Sequence, residues 1–305
     1  MSALLVIGLC VLLGVVLARL RIFPDNAPQV LNLYVIWVAL PALILVNLAE
    51  FSFSLQALIP MVTAWSALLV SALLVWVLCK VMNWDRATRC VLMLLVPLGN
   101  TSFVGIPMVS ALVGEAAIPY TILYDQLGSF LALATYGTLV IAMHSGESVK
   151  ASNITRKVLF FPPFVALIAG SVINLTGGLP AALNQSLAMI GATLVPVVML
   201  AVGLQWRFRL EPQDSIPMVW GLLIKLVLAP LGVALVFAGV HYPAVFEQTM
   251  VLEAAMAPMI SAGALATLHQ QRPNLASAMV GYGILAGFIT VPAWWWLLNE
   301  SGLLG

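Results

Sequence analysis

Charge is what this 305-residue chain has least of: 12 Lys and Arg and 11 Asp and Glu make up 8% of it. A soluble globular domain carries about three times that fraction, so an ordinary soluble fold is excluded. The net charge of +1 gives no electrostatic footprint for nucleic acid. Histidine is nearly absent; His144, His241 and His269 fall at or beyond the ends of apolar segments, and no HExxH pair exists to hold a hydrolytic zinc. Cys10, Cys79 and Cys90 have neither a metal-ligand spacing nor a disulfide framework. A Gly-x-Ser-x-Gly elbow is missing. Tyr124-Asp125 resembles half of a two-aspartate intramembrane protease, but the second aspartate in a Gly-x-Gly-Asp setting is lacking. An enzyme is therefore the least favoured reading, and no cofactor or metal is expected.

What is present is apolar: 63% of residues are hydrophobic. A helix needs about 20 residues to cross the hydrocarbon of a bilayer. On that length the chain divides into ten candidate spans, at 3–20, 29–49, 55–79, 90–113, 118–143, 158–176, 182–205, 216–239, 246–269 and 275–298. Turn or charge signals mark the joints, among them Pro24-Asp25-Asn26, Asp85-Arg86, Gly177-Gly178 and Glu211-Pro212. The first apolar run has no basic segment before it, so it reads as a span, not a cleaved signal peptide.

The basic residues test this division. With ten spans, eleven of the twelve fall on one face: Arg19, Arg21, Lys80, Arg86, Arg89, Lys150, Arg156, Lys157, Arg207, Arg209 and Arg272. The twelfth, Lys225, lies inside the eighth span. Glu50, Glu115, Glu247 and Glu300 fall on the opposite face. The positive-inside rule makes the basic face cytoplasmic, which puts both termini outside, in the periplasm of a bacterial inner membrane. The most polar stretch, 144–157, becomes a cytoplasmic linker, where the Asn153-Ile154-Thr155 sequon has no meaning.

Five spans precede the linker and five follow it. An odd number per half inverts the second half, giving repeats at 1–143 and 158–305. Two proline positions support the repeat. Spans two and seven carry Pro41 and Pro196; spans four and nine carry Pro97 and Pro258. The second pair breaks its helices. Residues 91–113 run into Pro97 and then Gly99, Asn100, Thr101 and Ser102; residues 251–268 run into Pro258 and then Ser261, Ala262 and Gly263. A proline inside a helix removes one backbone bond and blocks another. In a bilayer such a break survives where it is buried or lines a polar cavity. Matched breaks in two halves point to a carrier's binding site. The plainer reading is a kink healed by neighbouring helices.

Five runs carry a family resemblance: VALPALI at 38–44, NTSFVGIP at 100–107, LVPVVMLAVG at 194–203, KLVLAP at 225–230 and LEAAMAP at 252–258. In this order they resemble the auxin efflux carrier family, which groups plant PIN-type carriers with bacterial malate and malonate permeases. The short linker is closer to the bacterial branch. The resemblance implies an all-α polytopic membrane protein of ten transmembrane helices, arranged as two inverted five-helix repeats with broken, crossing helices 4 and 9, as in PIN-type carriers and sodium–proton antiporters. It implies a scaffold from 1–50 and 158–206, a transport domain from 55–143 and 216–299, elevator-type alternating access, and homodimers in the lipid bilayer. The implied substrate is a small organic anion, a malate- or malonate-like carboxylate or an auxin-like acid. A channel or a non-transporting sensor are the alternatives.

The residues that would carry this chemistry are few. After each break, the unpaired N–H groups of a half-helix suit an anion. Substrate binding is therefore expected at Pro97, Asn100, Thr101, Ser102, Pro258 and Ser261, with Lys225 and Asn47 as further candidates. Lys225 either attracts the anion, pairs with an acid or snorkels to the surface. Glu253 and Asp125, the two acids inside spans, are candidates for coupling to H⁺ or Na⁺. Asn47 and Gln126 read more simply as interhelical hydrogen bonds, and Trp294-Trp295-Trp296 as an interfacial anchor.

Overall fold

A computed structural model describes residues 2–51, 55–145, 151–205, 211–240 and 242–300. Among them the molecule is all-helical; its only extended pairing is a single antiparallel bridge. Six helices are long and apolar enough to cross a membrane: Ala27–Ala49 (α2), Ile59–Val81 (α3), Glu115–His144 (α6), Ala181–Leu204 (α9), Pro212–Phe237 (α10) and Pro273–Glu300 (α13). These coincide with six of the ten expected spans. Those at 3–20 and 158–176 hold the shorter helices Ser2–Arg19 (α1) and Pro162–Leu175 (α8). Ala151–Leu159 (α7) precedes α8. Those at 90–113 and 246–269 are each two half-helices: Arg86–Leu95 (α4) with Thr101–Leu112 (α5), and Ala244–Ala254 (α11) with Ile260–Leu268 (α12). Lys150, Arg207, Arg209 and His241 lie outside the described residues.

Small residues set the helix crossings, as they do where lipid offers no hydrophobic drive between helices. Gly14 of α1 meets Gly203 of α9 so closely that a Cβ on Gly14 would lie 2.8 Å from the Gly203 Cα. Gly191 of α9 and Gly170 of α8 seat against Leu43 and Leu48 of α2. Asn174 of α8 closes the end of α2, donating to the carbonyls of Ala49 (3.0 Å) and Phe51 (2.9 Å). Elsewhere Gly128 of α6 packs on Ala64 of α3, Gly221 of α10 on Met279 of α13, and Gly283 of α13 on Pro258.

Prolines shape the helices by a repeated device. Pro41, Pro107 and Pro230 each follow, two residues on, a widened π-helical turn: Val35–Ala39, Thr101–Gly105 and Ile224–Leu228. A proline ring collides with the carbonyl four residues earlier and offers it no N–H. That carbonyl belongs to Trp37, Phe103 or Leu226, near the middle of each widened turn. Two further π turns, Tyr124–Phe130 and Leu133–Gly137, widen α6.

At the basic end, Asp85 caps α4 by accepting from the amides of Ala87 and Thr88, both at 2.9 Å. Arg272, between α12 and α13, reaches Asp85 at 3.0 Å and forms an ion pair with Asp214 of α10 at 2.7 Å. One guanidinium thus ties together the starts of α4 and α10.

Candidate functional site

The two interrupted helices meet at their breaks. Gly99 and Pro258 stand opposite each other as an antiparallel bridge. The amide of Asn100 donates to the Ala257 carbonyl at 2.8 Å, and the amide of Met259 to Leu98 at 3.0 Å. These bonds flank the Gly99–Pro258 pair, which therefore occupies the position of an antiparallel ladder where the facing residues exchange no bonds. Proline, without an N–H, fits there at no cost in hydrogen bonds. Pro97 interrupts the other helix just before the bridge. The carbonyl it denies a partner is that of Met93, and the Tyr136 hydroxyl of α6 donates to it at 2.7 Å.

Two cavities flank this crossover. The first, of about 90 Å³, lies toward α2 and is walled by Ile36, Leu40, Asn100, Ser102, Phe103, Asp125, Met259 and Ser261, with Phe130 and Phe161 stacked 4.0 Å apart at its side. Asn100 is buried, and its Nδ2 has no hydrogen-bond partner among the described residues. A larger cavity of about 550 Å³ opens near Phe23, Pro24 and Thr267 and reaches Ile260. Met259 and Ser261 line the inner cavity while Ile260 lines the outer one, so this one turn separates them.

The second cavity lies toward α3 and α10. It has about 10 Å³ of room, close to the space of one water. Pro97, Gly99, Thr101, Lys225 and Glu253 line it. Lys225 is 4% exposed, and its ammonium would touch a Cβ on Gly99 at 3.0 Å. Gly105 receives the Glu253 carboxyl in the same way: a Cβ there would lie 2.7 Å from Oε2. Both glycines are needed for these close approaches. Neither oxygen of Glu253 has a hydrogen-bond partner among the described residues. Lys225 and Glu253 share the cavity without direct ion-pair contact.

One hydrogen bond joins the two sides. Thr101, which lines the second cavity, donates its hydroxyl to Asp125, which lines the first, at 2.5 Å. Gln126 donates to the other Asp125 oxygen at 2.6 Å. Thr101, Asp125 and Lys225 all sit in π-helical turns, which recur at functional sites.

The structure thus gathers Pro97, Asn100, Thr101, Ser102, Ser261, Lys225, Glu253 and Asp125 around the Gly99–Pro258 bridge. It does not bring in Asn47, which lines neither flanking cavity and turns its amide back to its own helix, onto the Leu43 carbonyl at 2.9 Å. The interhelical bonds expected of Asn47 and Gln126 are absent among the described residues: one bonds within its helix, the other bonds its neighbour. The expected anchor also divides. Trp296 is 60% exposed, but Trp294 is buried and donates to the Leu226 carbonyl at 2.9 Å. Sequence reasoning missed Gly99 and Gly105, whose role depends on partners far along the chain, and the stacked Phe130 and Phe161.

A buried crossover of two broken helices among helices of membrane-spanning length and apolarity is the arrangement of an integral membrane protein. The chain matches the membrane transport protein family over residues 1–295 and belongs to it; this is the auxin efflux carrier family. It is 27% identical to an uncharacterized transporter of Methanothermobacter thermautotrophicus over 93% of each chain. It is 22% identical to the uncharacterized transporter MJ1031 of Methanocaldococcus jannaschii over 98% of each. The uncharacterized transporter YfdV of Escherichia coli is 24% identical over 95% of each.

Proposed function

We propose that this protein is a secondary carrier for a small organic anion, with malate- or malonate-like carboxylates ahead of an auxin-like acid. The observation that carries the reading is the unpartnered, buried amide of Asn100 in a cavity it shares with Ser102 and Ser261. An amide N–H₂ and two hydroxyls are the groups that bind a carboxylate where water is excluded. The half-helices α5 and α12 begin at the same layer and add their positive ends. Lys225 stands behind the bridge, across from this cavity, as a fixed positive charge.

The reading includes ten spans in two inverted repeats, with both termini periplasmic. Supporting it are the one-sided basic residues and the meeting of the two matched breaks. Helices α1, α2, α8 and α9 pack on one another through Gly14, Gly170, Gly191 and Gly203, which suits a scaffold against which the crossover moves as an elevator. The turn between the larger cavity and the inner one would then gate access from the basic side. A homodimer built through that scaffold belongs to the same proposal.

The test is a thermal-shift screen of purified protein against acetate, lactate, malonate, malate, succinate and indole-3-acetate, because binding to the native state raises apparent stability by mass action. A hit should compete in counterflow after reconstitution in liposomes. If no carboxylate in the set stabilises the protein, the anion reading fails. Stabilisation without counterflow identifies a sensor.

A further inference from the structure

The anion cavity contains its own contradiction. Asp125 lines it, and an ionised Asp125 would repel a carboxylate a few ångströms away in a medium that screens poorly. An anion and a proton on Asp125 are therefore compatible; an anion and a bare Asp125 are opposed. The route for that proton is visible on the other side of the crossover.

We infer that Thr101 is a proton-relay residue, connecting Glu253 in the water-sized cavity to Asp125 in the anion cavity, and that the carrier is coupled to H⁺ and not to Na⁺. Three observations meet here. Glu253 is buried, lines the water-sized space, and has no hydrogen-bond partner for either oxygen among the described residues. Thr101 borders that space, and its hydroxyl already donates to Asp125. No other side chain both lines the water-sized cavity and bonds Asp125 among the described residues, since Gln126 lines neither cavity.

The transfer balances. The carboxyl O–H of Glu253 gives its proton to the water, the water gives one to the Thr101 oxygen, and the Thr101 hydroxyl proton passes to the Asp125 carboxylate. Glu253 ends ionised, Asp125 ends neutral, and the water and the threonine are unchanged. The groups facing Glu253 favour this cargo. Lys225 approaches from α10 and stabilises the carboxylate left behind. Tyr124 and Thr121 come from α6, where the Thr121 hydroxyl is spent on the Ala117 carbonyl at 3.1 Å. Helix α3 offers Ala64, Ala67, Leu68 and Ser71, and α5 offers the bare Gly105. A sodium ion would have to enter a space of one water beside an ammonium, with one carboxyl for ligand. A proton needs neither room nor ligands.

The inference rests on the anion reading, and the experiment separates the two. Full-length protein is reconstituted in liposomes with an internal pH dye, and the best-binding carboxylate of the set above drives uptake. Wild type should acidify the lumen as the carboxylate enters, equally with sodium or choline outside. Thr101→Val should lower proton movement at least about tenfold more than it lowers carboxylate exchange, the scale of a lost acid–base group. Thr101→Ser, which keeps the hydroxyl, should restore it. Proton movement that survives in a folded Thr101→Val protein, or uptake that requires sodium, overturns the relay while leaving the anion site standing. Failure of Thr101→Ser to restore it also overturns the relay, because the hydroxyl is then not the operative group. If no carboxylate binds wild type, the anion reading falls and the relay with it.

Discussion

Trp294 donates its indole N–H to the carbonyl of Leu226 at 2.9 Å. Leu226 stands four residues before Pro230, so its carbonyl is the one that proline leaves without a helical donor. Tyr136 does the same for Met93, four residues before Pro97, at 2.7 Å. In a membrane interior an abandoned carbonyl has no water to turn to. Two aromatic side chains from other helices therefore supply the donors that the two proline-bearing helices lack. Both of those helices carry groups of the candidate site.

Trp294→Phe keeps the ring in place and removes the N–H. It should cost about 1–3 kcal/mol of stability, the penalty for a buried polar group left unpaired. Pro230→Ala restores an amide that can bond Leu226, so the double variant should lose less than Trp294→Phe alone. Thermal unfolding in detergent measures this cycle; strict additivity would refute the pairing of indole and proline.

Asn100→Ala should weaken carboxylate binding by about 1–3 kcal/mol, because it removes the free amide donor of the anion cavity. Ser261→Ala should cost less, having one hydroxyl to lose. Titration of the best-binding carboxylate reads both. Unchanged affinity in both folded variants would move the site away from the crossover.

Lys225→Met keeps the length and apolar stem and removes the ammonium. It should destabilise the protein, since it strips the counter-charge from the cavity of Glu253. Adding Glu253→Gln should recover stability. If dicarboxylate affinity stays low in the double variant while monocarboxylate affinity returns, Lys225 acts on the ligand through the thin Gly99 backbone. Equal recovery of both would make the pair purely structural.

At the basic end, burial pushes the Asp85 carboxyl up, but the Thr88 hydroxyl and amide, the Arg272 guanidinium and the Ala87 amide together hold it below the usual carboxylate range. The unfolded chain then binds more protons than the fold in that range, so this contribution is complete above it and is lost as the pH falls through it. Asp85→Ala should remove a helix cap worth about 1 kcal/mol and flatten that acid limb of the stability profile. A stability–pH curve identical to wild type would refute the assignment.

Cysteines at Ser148 and Ser301, both outside the described residues, test the topology in a background lacking Cys10, Cys79 and Cys90. Labelling from opposite sides is expected. Same-side labelling would end the ten-span reading and the inverted repeat with it.

The sequence by itself determined that this is a membrane protein, because 8% charge and 63% apolar residues leave no soluble alternative. It also placed the breaks, since a proline's missing N–H acts locally wherever the fold puts it. Pro97 and Pro258 could be read as a site for that reason, and so could the sparse polar groups Asn100, Asp125, Lys225 and Glu253, each too costly inside a bilayer to be there without a role. Only the tertiary structure decided which groups share a cavity. Lys225 and Glu253 fall on one side of the bridge, and Asn100, Asp125 and Ser261 on the other, because the side of a crossing depends on the packing of helices distant in sequence. The same cause hid the roles of Gly99 and Gly105, which are spaces shaped for a lysine and a glutamate more than a hundred residues away. It also hid Trp294, whose sequence neighbours suggest a surface anchor and whose partner is a carbonyl on another helix. Local chemistry writes breaks and charges into the chain; which of them meet is settled by long-range packing, and no window of sequence contains it.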